Sequence, residues 1–250
     1  MKVSIITITF NSAATIRDTL ESVANQRYNN IEHIIIDGNS TDDTLSIVAT
    51  FPHISKVISE PDKGVYDAMN KGIAIATGDI IGMLHSDDIY ATEDIIQEIV
   101  SPFQKHSTIS SIYGNLEYFK ENQKDKIIRY WKAKPYHSSF FEDGEAPPHP
   151  TLFVRKKVYE KIGGYWADFK ISGDNEFMFR MLKIYQFKSF YLDKTIVKMR
   201  LGGISTRGFK SYLISTIELT RVWTMNGYQY PKHLLYKRPL KKLPQLFKNK

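Results

Sequence analysis

Val3-Ser4-Ile5-Ile6-Thr7-Ile8-Thr9-Phe10-Asn11 is a run of β-branched and apolar residues that turns polar at its end, and Ile31-Glu32-His33-Ile34-Ile35-Ile36-Asp37-Gly38-Asn39-Ser40 repeats the design. Such runs suit strands buried on both faces. Between them, Ile16, Leu20 and Val23 recur at helical spacing within Ala13 to Gln26. After the second run, Ser40 or Thr41 is expected to cap a helix reaching about Thr50. Lys56 to Ser59 reads as a short third strand, Val65 to Ala76 as a helix stopped by Gly78, and Asp79 to Leu84 as a fourth strand. Strand and helix alternating in this way predict parallel strands with right-handed crossovers and helices on both faces, an α/β fold with a mostly parallel sheet.

In such sheets ligands bind beyond the carboxyl ends of the strands. That rule selects Thr9 to Asn11, Asp37 to Ser40, Glu60 to Gly64 and His85 to Asp88, four polar clusters that follow apolar runs. The first glycine is Gly38, so the first strand-to-helix turn carries no GxGxxG fingerprint, and GxxxxGK[ST] is absent. A dehydrogenase and a P-loop kinase are thereby disfavoured.

Beyond Asp88 the pattern changes. A helix fits Thr92 to Phe103, strands fit Ser111 to Phe119 and Lys126 to Trp131, and a long loop carries Pro135, Gly144, Pro147, Pro148 and Pro150. Helices fit Lys156 to Ile162, Asn175 to Tyr185 and Phe209 to Met225; strands fit Phe187 to Tyr191 and Thr195 to Leu201. The expected division is one domain over 1–207, with a nucleotide-type half (1–90) and a second half (91–207) that supplies the rest of the pocket, followed by a helix and basic tail over 208–250.

With 250 residues, 42% of them hydrophobic, the chain has the material for one large core. It has no cysteine, so any bound metal must rest on oxygen or imidazole. Apolar runs such as Ile80 to Leu84 fall far short of the ~18 residues of a membrane span, and the residues after Met1-Lys2 do not resemble a signal peptide. The net charge of +7 resides in the last twenty residues, where Lys232, Lys237, Arg238, Lys241, Lys242, Lys248 and Lys250 meet no acid. A neutral body with a basic tail that also carries Leu234, Leu235, Tyr236, Leu240, Leu243, Leu246 and Phe247 points to an anionic membrane surface and not to nucleic acid; a solvated tail is the plainer alternative.

Several acids stand where chemistry is expected. Asp37 ends a buried-type strand and can accept hydrogen bonds from a ligand, or cap the following helix. Asp87 and Asp88 are adjacent carboxylates that need a cation, an arginine or a proton, and with oxygen ligands Mg²⁺ or Mn²⁺ bridging to a diphosphate is the natural cation. Asp174 and Glu176 lie at the start of a helix, where an acid is a stabilising cap worth about 1 kcal/mol. His33, His53 and His106 lack metal-ligand spacing and read as solvent-facing or helix-end residues.

Taken together, Thr7-Ile8-Thr9-Phe10-Asn11, Ile35 to Thr44, Glu60-Pro61-Asp62-Lys63-Gly64 through Gly72, Ala76-Thr77-Gly78-Asp79 and Ser86-Asp87-Asp88 resemble the family 2 glycosyltransferases of GT-A fold. The resemblance implies that Thr9, Asn11 and Asp37 hold base and ribose, and that Asp62, Lys63, Gly64, Asp67 and Asn70 reach nucleoside and sugar. The family's metal-binding DxD corresponds to His85-Ser86-Asp87: a histidine replaces the first acid, Asp87 becomes the favoured ligand for Mg²⁺ or Mn²⁺, and Asp88 is a second. Asp174 matches the catalytic base of inverting members, with Glu176 as its rival. His149 and Trp166 fall on the acceptor side, although Gly163-Gly164-Tyr165-Trp166 also reads as a helix stop followed by core aromatics. Arg207, after Gly202-Gly203-Ile204-Ser205, matches a loop over the diphosphate. The implied activity is transfer of a sugar from a nucleotide-diphosphate donor, UDP first among them, to a hydroxyl of a lipid-linked or polysaccharide acceptor at the inner membrane face. A sugar nucleotidyltransferase would want a Gly-rich, Arg-containing loop where Asn11-Ser12-Ala13-Ala14 stands; a non-catalytic binding subunit is encouraged only by His85.

Overall fold

The structure, a computed structural model, describes residues 1–120, 123–202, 208–242 and 245. The first half forms as its periodicity predicts. Strands β1 (Val3–Thr9), β2 (Ile31–Asp37), β3 (Ile54–Ser59) and β4 (Ile80–Met83) run parallel in the order β3-β2-β1-β4. The crossovers contain helices α1 (Ile16–Ala24), α2 (Thr44–Val48) and α3 (Val65–Ile75). Alternation decides which face each strand residue buries. Ile6, Ile34 and Ile36 pack with Tyr66, Ala68 and Met69 of α3, whereas Ile35 packs on the other face with Ile16, Leu20 and Val48.

The second half widens the sheet. After β5 (Ile89–Tyr90) and α4 (Ile95–Lys105) come β6 (Ser111–Lys120), β7 (Gln123–Trp131), β8 (Phe153–Arg155), α5 (Lys156–Ile162), α6 (Gly173–Phe179), β9 (Ser189–Arg200), α7 (Gly208–Met225) and α8 (Leu234–Lys242). The complete order is β3-β2-β1-β4-β8-β6-β9-β5, with β7 paired to β6. Short β8 lies antiparallel to both β4 and β6, while β6 and β9 are parallel. The sheet is therefore mixed with a parallel majority in its nucleotide-type half.

Three local expectations are corrected. The helix after β2 begins at Thr44 rather than behind Ser40 or Thr41, because Asp42 Oδ1 accepts both the backbone N–H (3.0 Å) and the hydroxyl (2.5 Å) of Thr44. The two strands expected at Phe187 to Tyr191 and Thr195 to Leu201 are one strand, β9. Its polar Asp193-Lys194 bulges out where the register with β6 jumps from Tyr113↔Tyr191 to Asn115↔Thr195. Gly114 sits at the jump, and a Cβ there would lie 2.7 Å from the Lys194 carbonyl oxygen, so the bulge packs against a residue with no side chain.

His33 and His53 are the third correction. His33 is fully buried, with Nε2 3.0 Å from Thr7 Oγ1 and Nδ1 3.0 Å from His53 Nε2. Burial, reinforced by the neighbouring His53, pushes the His33 imidazole down to about 3. An unfolded histidine protonates near pH 6.5 while the folded one stays neutral to about pH 3, so stability is complete above pH 6.5 and is lost as pH falls through that window. Between pH 7 and pH 5, His33 is expected to account for about 2 kcal/mol of the stability lost in urea denaturation, at 1.36 kcal/mol per unit, a share that His33→Gln removes. An unchanged pH dependence in that variant would contradict the assignment.

The boundary placed at residue 207 is not a packing boundary. Val222 and Trp223 of α7 and Leu234 of α8 belong to the same core as Tyr66, Phe177 and Phe179. The basic tail, expected to meet an anionic membrane surface or to be solvated, docks through α8: Lys237 Nζ reaches Asp143 at 3.0 Å, Lys241 pairs with Glu145, and His233 Nε2 lies 2.8 Å from the Glu142 carbonyl oxygen. Exposed pairs of this kind contribute little; burial of Leu234 supplies the main anchor. No helix among the described residues is long and apolar enough to cross a membrane.

Candidate active site

The carboxyl ends of β1, β2, β3 and β4 are laced together by their own side chains. Asn11, at φ 47°, accepts the Thr41 N–H on Oδ1 at 2.9 Å, and its own N–H donates to Ser40 Oγ at 2.8 Å. Asn is among the few residues that visit the left-handed region readily. Ser12 Oγ and Ser86 Oγ stand 2.9 Å apart, tying the β1 end to the β4 end. Thr9 lies at the floor of this cluster with its buried hydroxyl lacking a partner.

Asp37 is wholly buried and accepts three bonds: from Ser40 N (2.9 Å), Ser40 Oγ (2.5 Å) and Ser59 Oγ (2.6 Å). A carboxylate has about four acceptor positions, so most of its capacity goes into fixing the β2 turn and the β3 end. Asp62 and Asp67 shape the next turn: Asp62 Oδ1 takes the Gly64 N–H at 2.8 Å and Asp67 Oδ2 takes the Lys63 N–H at 3.0 Å.

At the end of β4 the adjacent carboxylates part company. Asp87 is half-buried at the turn. Asp88 is fully buried and points inward, where Oδ1 accepts the Arg200 N–H at 3.3 Å while burial and the nearby Asp87 raise its pKa well above the usual carboxylate range. Thr19 Oγ1 holds the turn by donating to the Asp88 carbonyl oxygen at 2.7 Å. Asp88 is thus a link to β9 and not a second ligand beside Asp87. Among the described residues no three His, Asp or Glu side chains converge as a metal site. A Mg²⁺ or Mn²⁺ held together with a diphosphate needs only one or two protein carboxylates, and Asp87, half-buried at the turn, is placed to offer one.

A chain of rings leads from this turn to Asp174. The His85 and His149 rings lie 6.0 Å apart, His149 Nε2 is 3.0 Å from the Tyr165 hydroxyl, and Tyr165 stacks on Tyr66 at 5.8 Å. Tyr66 then donates to the Ile171 carbonyl oxygen at 2.7 Å and reaches Asp174 Oδ1 at 3.3 Å. Gly173 makes this possible, since a Cβ there would sit 2.8 Å from the Tyr66 ring. Burial raises the Asp174 carboxyl above its ordinary pKa, opposed by hydrogen bonds from Asn175 and Tyr66. Burial likewise lowers the imidazole of His85, against the pull of Asp87, and that of His149 to about 3.

Other expected site residues have structural partners. Glu176 is buried in a two-pronged pair with Arg180, Nε to Oε1 and Nη2 to Oε2 both at 2.8 Å, so it is no rival base. Asn70 clamps Tyr165, accepting its N–H at 2.9 Å and donating to its carbonyl oxygen at 2.7 Å, and so is turned from donor sugar to loop. Half-buried Trp166 carries the Arg180 guanidinium 5.4 Å from its ring centre. Arg207 lies outside the described residues. Sequence reasoning missed Tyr66 as a partner of Asp174; its place one helical turn before Asn70 on the buried face of α3 was the available sign.

The family model described as "Glycosyl transferase family 2" matches residues 4–163. An uncharacterized glycosyltransferase of Mycobacterium tuberculosis (strain CDC 1551 / Oshkosh) is 38% identical over 181 residues, covering 71% of this chain and 68% of that protein. A PGL/p-HBAD biosynthesis glycosyltransferase of Mycobacterium bovis (strain BCG / Pasteur 1173P2) is 28% identical over 207 residues, covering 81% and 78%. Among solved structures, glucosyl-3-phosphoglycerate synthase from Mycobacterium tuberculosis, in complex with Mn²⁺, UDP and glucosyl-3-phosphoglycerate, superposes with a TM-score of 0.65 at 17% identity, over 88% of this chain and 80% of that one. That likeness is one of fold.

Proposed function

The chain belongs to glycosyl transferase family 2, a GT-A glycosyltransferase with a nucleotide-sugar donor, and from that premise we propose an inverting enzyme in which Asp174 is the base and Asp87 the protein ligand of a divalent cation. The observation that carries this reading is the convergence of Asp174, through Tyr66, Tyr165 and His149, on the turn that holds His85 and Asp87. The donor's base and ribose would lie over Thr9, Asn11 and Asp37, its diphosphate near Asp87.

Transfer requires an acceptor hydroxyl to lose its proton as its oxygen bonds to the anomeric carbon. The bond from that carbon to the diphosphate breaks, and its electron pair leaves with the nucleoside diphosphate. Asp174 would take the proton, on Oδ2, the oxygen that neither the Tyr66 nor the Asn175 side chain holds. Tyr66 keeps its own proton, because burial raises its pKa, and its hydroxyl, which donates to the Ile171 carbonyl oxygen at 2.7 Å, stands 3.3 Å from Oδ1. A cation held by Asp87 and the diphosphate would offset the charge on the leaving group.

Calorimetric titration with UDP, GDP, dTDP and CDP, with and without Mn²⁺, tests the donor site. Binding of one diphosphate that needs the metal and weakens at least about tenfold in Asp87→Ala, a loss of about 1.4 kcal/mol, is expected, with UDP first. A folded wild type that binds none of the four would instead favour the non-catalytic alternative.

We place the acceptor among lipid-linked or polysaccharide hydroxyls of cell-surface glycan synthesis, at the cytoplasmic face of the membrane. The glycolipid-biosynthesis name of the Mycobacterium bovis relative supports this, as do the exposed Leu235, Tyr236 and Leu240 interleaved with cations on α8. Lys237 and Lys241 are engaged by Asp143 and Glu145, so Lys232 and Arg238 are the cations to substitute. Their joint replacement by Ala is expected to cost about 2 kcal/mol of affinity for phosphatidylserine vesicles, at about 1 kcal/mol each; unchanged vesicle binding would remove the membrane from the reading.

A further inference from the structure

The carboxylate of Glu218, on α7, receives three successive backbone N–H groups: Lys170 at 2.7 Å on Oε1, and Ile171 at 2.9 Å and Ser172 at 2.8 Å on Oε2. These residues form the segment that leads into α6 and its Asp174. Glu218 is 9% exposed, so a carboxylate has been taken out of water to hold a loop. Buried charge is retained only where it is well bonded, and hydrogen bonds to an ionised acceptor are stronger than neutral ones. Neighbouring contacts act on the same segment. Ser172 Oγ stands 3.2 Å from Ser215 Oγ, Arg221 pairs with Asp168, and the Arg221 guanidinium lies 4.8 Å from the Phe169 ring centre. From the other side, Tyr66 donates to the Ile171 carbonyl oxygen and stands 3.3 Å from Asp174 Oδ1. The segment is therefore gripped by α7 through its N–H groups and by α3 through its carbonyl.

We propose that Glu218 is a positioning residue for Asp174: it fixes the 170–172 segment so that Tyr66 and Asp174 stay in register, and it makes α7 part of the catalytic apparatus. The proposal rests on the reading of Asp174 as the base. It assigns a role in turnover to a residue far outside the stretch matched by the family model, which ends at residue 163. A nearly isosteric Gln offers one acceptor oxygen where three N–H groups need two, and its amide N–H₂ opposes a backbone N–H. The groups facing Asp174 are Tyr66, Tyr165 and Asn175, with Glu218 behind Tyr66.

The test compares wild type, Glu218→Gln and Asp174→Asn. Turnover is followed as release of nucleoside diphosphate from UDP-glucose, UDP-N-acetylglucosamine, GDP-mannose and dTDP-glucose with Mn²⁺ and water as acceptor. The Asp174 carboxyl is titrated by ¹³C NMR, with Asp174→Asn providing its assignment. In Glu218→Gln, kcat is expected to fall about 10- to 100-fold while KM for the donor stays within about twofold, the loss of position that a displaced catalytic group produces. The Asp174 titration should move, and amide exchange at 170–174 should speed up. A Glu218→Gln protein with a lower Tm but unchanged kcat and Asp174 titration would overturn the proposal. If it does not fold, Ser215→Ala and Glu218→Asp carry the same readouts. A fully active Asp174→Asn would mark failure of the base reading itself, whereas an inactive Asp174→Asn beside a normal Glu218→Gln would mark failure of the positioning role alone.

Discussion

Asp174→Asn is expected to lose about 10²- to 10⁴-fold in turnover, the range that a positioned general base contributes, with nucleoside diphosphate affinity within twofold of wild type. Asparagine preserves the shape at the start of α6 and its carbonyl oxygen can still face Tyr66, but it cannot accept a proton. The nearest alternative acid is no substitute, because Glu176 is fully buried and bonded twice to Arg180. The same carboxyl sets the acid limb of the rate profile. It must be ionised to work, and burial raises its pKa, so turnover should fall with decreasing pH through a value above that of an ordinary aspartate. Retention of more than about a tenth of wild-type kcat in this variant would be incompatible with Asp174 as base.

Arg180→Met should be the most destabilising single substitution in the acceptor half. It leaves the carboxylate of Glu176, 0% exposed, without its counter-charge, and removes donors from the Ile162 and Gly164 carbonyl oxygens. Breaking a buried pair by removing one partner costs about 3–5 kcal/mol, whereas replacing both partners by apolar groups is often near neutral. Urea midpoints should therefore drop sharply in Arg180→Met and recover for the most part in Arg180→Met with Glu176→Leu. Equal stability of the single variant and wild type would show that the pair is not the buried unit the geometry describes.

The nucleotide-type half was legible because its instructions are local. Period-two strands, period-three-to-four helices and polar strand ends place Thr9, Asn11, Asp37 and Asp87 without any knowledge of the rest. The acceptor half was less so, because its decisive partnerships join distant residues of ordinary type. Glu176 and Asp174 look alike in sequence, and only Arg180, four residues on, takes one of them out of solvent. Asn70 is a ligand residue by family resemblance alone, yet its amide serves a loop 95 residues away. Asp88 could not be separated from Asp87 by composition, since the difference lies in which of them meets β9. His33 interrupts an apolar strand and was read as polar surface, where a second histidine, His53, completes it as core.

The short strand β8 has a further consequence for how the chain is made. Among the described residues it is the strand that covers the outer side of β4, through Ile80↔Arg155, Ile81↔Val154 and Gly82↔Phe153. During synthesis, β1 to β4 and their helices emerge long before Phe153, so the nascent sheet presents Ile80-Ile81-Gly82-Met83 as an open apolar edge throughout that interval. Open edges recruit other strands, and partly made domains aggregate through them. The hazard ends only when the three residues of β8 arrive, which makes Phe153 to Arg155 the closing stitch of the β1–β4 sheet as well as its bridge to the second half of the chain.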